Sequence, residues 1–195
     1  MHICFVKKNP KIQAKGNWMK EYLMKGERVY LREMTVDDTD KIVSWRNAPH
    51  VMENFIYRIP LTREDHLNWI KTKVETGLVR QFVIGRIEDG REFGSIYFRD
   101  IDNENHTCEF GIFIGDPEMA GKGYGYEAQM LSMHFVFMEM QMEKVELRVL
   151  EKNKAAIHNY EKCGFKLIED KAEYLGEGKA REKILFMECE RYDNI

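Results

Sequence analysis

The chain is short of the features that mark stapled, secreted or membrane-spanning proteins. Its four cysteines, Cys4, Cys108, Cys163 and Cys189, lie far apart, with no C-x-x-C pair. That spacing argues against a zinc site or a disulfide framework and suits reduced thiols in a cytoplasm. No run of 18 apolar residues occurs, so no transmembrane helix and no membrane partner are expected. Lys7, Lys8, Lys11 and Lys15 break up the N-terminus where a secretory signal needs an apolar stretch. A basic excess is also missing. Thirty Lys and Arg stand against 33 Asp and Glu, a net charge of −3, which argues against nucleic acid as the main partner.

What is present reads as globular. Apolar residues make up 44% of the 195 and charged residues 32%. The length fits one domain able to bury roughly 70% of its unfolded surface. Charge is uneven along it. Residues 1–26 hold six Lys and one Glu, a balance of +5, so the remaining 169 residues carry −8. With little periodicity in them, residues 1–26 read as a basic extension, and residues 27–190 as the single domain.

Within 27–190 the pattern alternates between strand and helix periods. Arg28–Met34 reads as a strand. Thr35 caps a helix that ends near Asn47, because Pro49 disfavours helix at Ala48. Thr62 caps a second helix, Thr62–Glu75, ended by Gly77. Arg80–Ile87, Glu92–Ile101 and Thr107–Gly115 follow as an antiparallel meander, with Asp89-Gly90 as the first hairpin turn. A glycine-rich turn, Gly121-Lys122-Gly123-Tyr124-Gly125, opens a long apolar helix to about Met140. Residues 144–150 alternate as a strand. Asn153 caps a short helix to Cys163, and Phe165–Leu175 and Arg181–Cys189 are the last strands, joined at Gly176-Glu177-Gly178.

Two segments carry chemistry. The glycine turn lets a backbone approach a ligand closely, and free N–H groups at a helix N-terminus favour an anion such as a diphosphate. It is neither a Walker A loop nor a G-x-G-x-x-G dinucleotide fingerprint. The second segment, Asn153 to Phe165, places Ala156, Ile157 and Tyr160 on one helix face.

In this order, about 28 residues apart, the two segments resemble the GCN5-related N-acetyltransferase (GNAT) family. The family pattern is Arg/Gln-x-x-Gly-x-Gly/Ala, then Asn-x-x-Ala-x-x-x-Tyr-x-x-x-Gly-Phe. Gly123 and Gly125 match the first, with Ala120 where Arg or Gln is usual. Asn153, Ala156, Tyr160, Gly164 and Phe165 match the second without a gap. The resemblance implies an α/β (α+β) GNAT fold. Its central sheet would be mixed and mostly antiparallel, with six to seven strands and about four flanking helices. The sheet would be splayed between its fourth and fifth strands, Thr107–Gly115 and 144–150. The resemblance further implies acetyl-coenzyme A as co-substrate, with no metal. Its diphosphate would lie on Gly121, Lys122, Gly123, Tyr124 and Gly125. Its pantetheine arm would pair with Ile112, Phe113 and Ile114, and Asn153 would contact the arm.

Such chemistry has simple needs. A primary amine with a pKa near 10 is mostly protonated at neutral pH and must lose a proton before it attacks a thioester. The departing thiolate benefits from a donor. The resemblance assigns that donor to Tyr160. Glu109, on the strand that would hold the arm, is the candidate base through water. His134 and the methionines of the long helix read as packing.

The first two helices of this family shape the acceptor site. Here Trp45-Arg46-Asn47 and Glu64-x-His66-Leu67-x-Trp69-Ile70 look like the branch that acetylates the 4-amino group of UDP-linked amino sugars. Trp45, Arg46, Asn47 and His66 are therefore the expected acceptor-binding residues. Residues 108–114 and the Gly-Lys-Gly-Tyr turn look similar to spermidine acetyltransferases, so a polyamine is the alternative acceptor, beside a protein N-terminus. A non-catalytic coenzyme A-binding module is the alternative of another class. Assembly as a homodimer is left open.

Overall fold

The computed structural model describes residues 4–5, 23–176 and 181–191. Nine strands form one sheet among these residues. They are β1 (Cys4–Phe5), β2 (Met24–Lys25), β3 (Val29–Glu33), β4 (Arg80–Arg86), β5 (Glu92–Asp102), β6 (Thr107–Ile114), β7 (Lys144–Leu150), β8 (Lys166–Leu175) and β9 (Glu182–Glu190). Their spatial order is β1-β2-β3-β4-β5-β6-β7-β9-β8. All neighbours are antiparallel except β6 and β7, which are parallel. The α-helices are α1 (Thr39–Asn47), α2 (Pro49–Met52), α3 (Arg63–Trp69), α4 (Tyr124–Met138) and α5 (Lys154–Lys162).

Both faces of the sheet are covered. Phe82 and Ile84 of β4 point into the larger core, where Leu131, Phe135 and Val136 of α4 meet them. Val83, between them, faces the other way onto Ile42, Val51 and Ile70 of the α1–α3 layer. This period of two is why the central strands read as continuous apolar runs. The β4–β5 hairpin turns at Gly90, whose φ is +71°. Asp89 supports the turn by accepting from the Arg86 guanidinium and the Arg91 N–H.

Several boundaries differ from the sequence reading, each for a local reason. The sheet has two more strands than the upper expectation of seven. Met24 pairs with Leu31 and is fully buried, so the sheet reaches back beyond residue 27. The rest of the basic extension, 1–3 and 6–22, lies outside the described residues, as do Glu177 and Gly178 of the last turn. The first helix begins as a 3-10 turn, Val36–Asp38, because the Asp38 side chain folds back onto Thr35. Ala48 is extended, as Pro49 requires, but the chain restarts at once as α2. Thr62 caps α3 through the Asp65 N–H, and the helix then widens into a π-turn, Ile70–Val74.

A charged network ties the sheet to the first helix. Arg32 donates to both carboxylate oxygens of Asp38, at 2.7 and 2.5 Å, and to Glu92 at 2.7 and 3.0 Å. Lys41 closes the cluster on Glu92. Burial alone would raise the Asp38 pKa. Hydrogen bonds from Arg32 and from the Thr35 N–H outweigh it and hold the carboxyl well below its usual range. A carboxyl depressed in the fold contributes stability above its unfolded pKa of about 4, and that contribution fades as pH falls further. Asp38→Ala takes from Arg32 one of its two carboxylates and leaves it Glu92, and is expected to cost about 2 kcal/mol at pH 7. In urea titrations the gap between wild type and variant should narrow from pH 5 to pH 3. A gap that is constant with pH would show that Asp38 acts through packing alone.

Candidate active site

The site begins where two strands part. Pairing between β6 and β7 runs only through Thr107, Cys108 and Glu109. On its other edge β7 pairs with β9 over its whole length, Lys144 to Leu150 against Glu190 to Ile184. Phe110 to Ile114 therefore keep β5 on one side and, among the described residues, have no strand on the other. A cleft of about 1350 Å³ opens there. The α4 N-terminus, α5 and the α1–α3 layer complete its wall. The splay expected between the fourth and fifth strands of the domain is present at that place.

Gly121 and Gly123 take left-handed φ values of +72° and +80°, and Gly123 caps α4. Both line the cleft, as does Gly125. A Cβ on Gly121 would meet nothing within 4 Å, and one on Gly125 would make only an ordinary contact with Ile114 at 3.7 Å, so the space beside the turn is open. Orphan N–H groups at a helix start, beside open space, fit an anionic diphosphate. The unpaired edge of β6 fits an extended arm with amide groups. Ile112, Phe113 and Ile114 line the cleft, but Lys122 and Tyr124 do not. Tyr124 packs on Phe93, with ring centroids 5.6 Å apart. Asn153 caps α5 by accepting from the Ala156 N–H at 3.2 Å, and it also lines the cleft.

Tyr160 lies in the cleft wall with its ring against Phe110 and Phe165, at 6.3 and 5.9 Å. Burial pushes its hydroxyl pKa up, so it stays protonated at neutral pH. Glu109 sits at the root of the splay. It pairs with Arg99 across β5 and with Arg148 across β7, the latter at 3.3 Å. Tyr97, also in the wall, lies over Gly111, and a Cβ there would run into its ring.

The expected acceptor residues separate into two groups. Arg46 and His66 line the cleft, whereas Trp45 and Asn47 do not. Trp45 covers Gly115, where any Cβ would strike its indole. Asn47 clamps Leu61, donating to its carbonyl and accepting from its N–H, both at 2.8 Å. Their structural roles are to seat the end of β6 and to hold the α2–α3 loop. His66 is only 2% exposed. Its Nδ1 lies 3.2 Å from the Thr39 hydroxyl, and burial lowers its pKa. Arg46 stacks on Phe55 at 3.3 Å and donates to the Tyr57 carbonyl at 3.0 Å. Its Nη1 is buried without a hydrogen-bond partner among the described residues. Sequence reasoning missed Tyr97, Arg99 and Arg148. Their spacing on β5 and β7 looks like ordinary strand alternation, and only the parting of β6 from β7 brings them together.

Five basic side chains line the cleft, Arg46, Lys73, Arg99, Arg148 and Lys162, against two acidic ones, Asp65 and Glu109. No group of three His, Cys, Asp or Glu among the described residues is placed to hold a metal ion. No helix there is long and apolar enough to cross a membrane.

A sheet parted at one parallel pair, with a glycine turn and helix start facing the gap, defines an acetyltransferase fold. The family model for the Acetyltransferase (GNAT) domain matches residues 28–166, and the chain belongs to that family. It is 36% identical over 86 residues to the spermidine N(1)-acetyltransferase of Escherichia coli K12, covering 44% of this chain and 45% of the relative. It is 28% identical over 138 residues to that of Vibrio cholerae, covering 69% and 77%. An uncharacterised protein of Methanocaldococcus jannaschii is 26% identical over 140 residues, 71% of this chain and 28% of that protein. The chain thus spans less than half of some curated relatives it matches. The V. cholerae spermidine N-acetyltransferase crystallised with CoA and spermine superposes with a TM-score of 0.73 at 22% identity. That match covers 83% of this chain and 95% of the other.

The cradle gives a direct test. In Gly125→Val the fold has room for the new side chain but the ligand does not. The variant should keep its melting temperature within a few degrees and lose at least tenfold in affinity for CoA, measured by calorimetry. Unchanged affinity would put the diphosphate elsewhere.

Proposed function

We propose that this chain transfers the acetyl group of acetyl-coenzyme A to the primary amine of an acceptor that carries a negatively charged part. A UDP-linked 4-amino sugar is the acceptor that fits. The single observation behind this acceptor class is the basic wall of the cleft, with one guanidinium nitrogen of Arg46 still without a hydrogen-bond partner among the described residues. Arg46 has a buried, unsatisfied Nη1, and a phosphate oxygen would satisfy it. Phe55, already stacked on that guanidinium, and the half-exposed Tyr57 offer apolar faces to a base or sugar ring.

Bound acetyl-coenzyme A supplies an activated thioester. The chain supplies the rest. Backbone N–H groups of Gly121 to Gly125 hold the diphosphate, and Ile112, Phe113 and Ile114 hold the arm along β6, with Asn153 beside it. Glu109, fixed by Arg99 and Arg148, takes a proton from the attacking amine through water. Tyr160 offers its hydroxyl proton to the departing sulfur, and its burial keeps that proton in place until then.

A polyamine acceptor is the second reading. The names of the E. coli and V. cholerae relatives favour it, and so does the −8 charge of residues 27–195, which would draw in a polycation. The cleft itself runs against it. A polycation needs carboxylates, and of the two in the wall Glu109 already serves two arginines.

The test is acetyl-coenzyme A consumption with a UDP-4-amino sugar, spermidine and an N-terminal peptide as acceptors. The sugar should give the highest kcat/KM. With the active acceptor, Tyr160→Phe should lower kcat by about 10²–10⁴-fold and leave the KM for acetyl-coenzyme A nearly unchanged. Spermidine as the best acceptor would establish the second reading. Turnover with none of them, despite CoA binding, would favour a non-catalytic module.

A further inference from the structure

The glycine turn is held from outside the cleft by one side chain. Arg28, just before β3, does not line the cleft. Its Nη1 donates to the Lys122 carbonyl at 3.2 Å and its Nη2 to the Gly123 carbonyl at 3.4 Å. The guanidinium also lies 5.0 Å from the centre of the Tyr124 ring. Glu127, one turn into α4 and 2% exposed, locks the arrangement. It accepts from Arg28 Nε at 2.8 Å, from the Arg28 N–H at 2.7 Å and from the Val29 N–H at 3.2 Å.

Peptide geometry turns these bonds into a statement about the cradle. In a trans peptide each carbonyl is antiparallel to the N–H of the following residue, and no cis bond occurs among the described residues. With the Lys122 and Gly123 carbonyls turned towards Arg28, the N–H groups of Gly123 and Tyr124 face the opposite way. We propose that Arg28, locked by Glu127, is the positioning residue of the anion cradle. It fixes two peptide planes so that their N–H groups are presented to the diphosphate before the ligand arrives. The inference rests on the coenzyme A reading above and deepens it. The Gly123 carbonyl also accepts the Glu127 N–H at 3.2 Å, so removing the clip frees chiefly the Lys122–Gly123 peptide, whose ordering must then come out of the binding free energy.

The test is calorimetric binding of CoA and of pantetheine, which lacks the diphosphate, to wild type, Arg28→Ala and Arg28→Lys. Arg28→Ala should weaken CoA binding about tenfold and leave pantetheine binding within twofold. Arg28→Lys keeps the charge but lacks the planar fork that spans two carbonyls, and should lose most of the same affinity. A purely structural role would weaken both ligands together and lower the melting temperature in step, which would overturn the proposal. So would CoA affinity equal to wild type in Arg28→Ala. Full affinity in Arg28→Lys would show that charge alone matters and would also overturn it. A wild type that binds pantetheine and CoA equally would remove the diphosphate reading itself, whatever the variants do.

Discussion

A parallel strand pair cannot satisfy its backbone groups once the strands diverge, and the site follows from that constraint. β7 keeps β9 along its full length on one edge but parts from β6 after Glu109 on the other. The edge of β6 from Phe110 to Ile114 is left with polar groups that a ligand or water must meet. Every other part of the site is arranged around that open edge. α4 starts beside its far end, α5 brings Tyr160 across its mouth, and Trp45 covers its last turn at Gly115.

Electrostatics work on two scales here. The chain beyond the basic extension is acidic overall, yet the cleft wall is basic. Net charge acts on approach from solution, while the side chains in the wall decide what is held once water is displaced. Glu109 belongs to the local scale, since its two arginines come from the strands on either side of it. The Arg32–Asp38–Glu92 network is the structural counterpart. It spends its charges on each other and joins the start of the first helix to β3 and β5.

What the sequence makes legible is what short-range spacing encodes. Alternation placed the central strands within a residue or two, and Thr62 and Asn153 cap helices where their side chains said they would. The two glycine- and tyrosine-bearing segments carry the resemblance to the acetyltransferase family that the match over residues 28–166 bears out. Other features depend on partners distant in the chain. Arg28 meets Glu127 across 99 residues, and Arg148 meets Glu109 across 39. Trp45 is expected at the acceptor end from the Trp-Arg-Asn resemblance, and its close approach to Gly115, 70 residues on, has no signal in the sequence. The π-turn after Trp69 has no signature in composition, since its residues suit an α-helix equally well.

The account stands or falls on whether the open edge of β6 and the glycine turn receive one ligand together. Hydrogen exchange with and without CoA measures that directly. The amides of Phe110–Ile114 that face the splay and those of Gly121–Gly125 should slow together on CoA addition, with little change in β3 or β4. Protection confined to other elements, or no protection at all at saturating CoA, would contradict it.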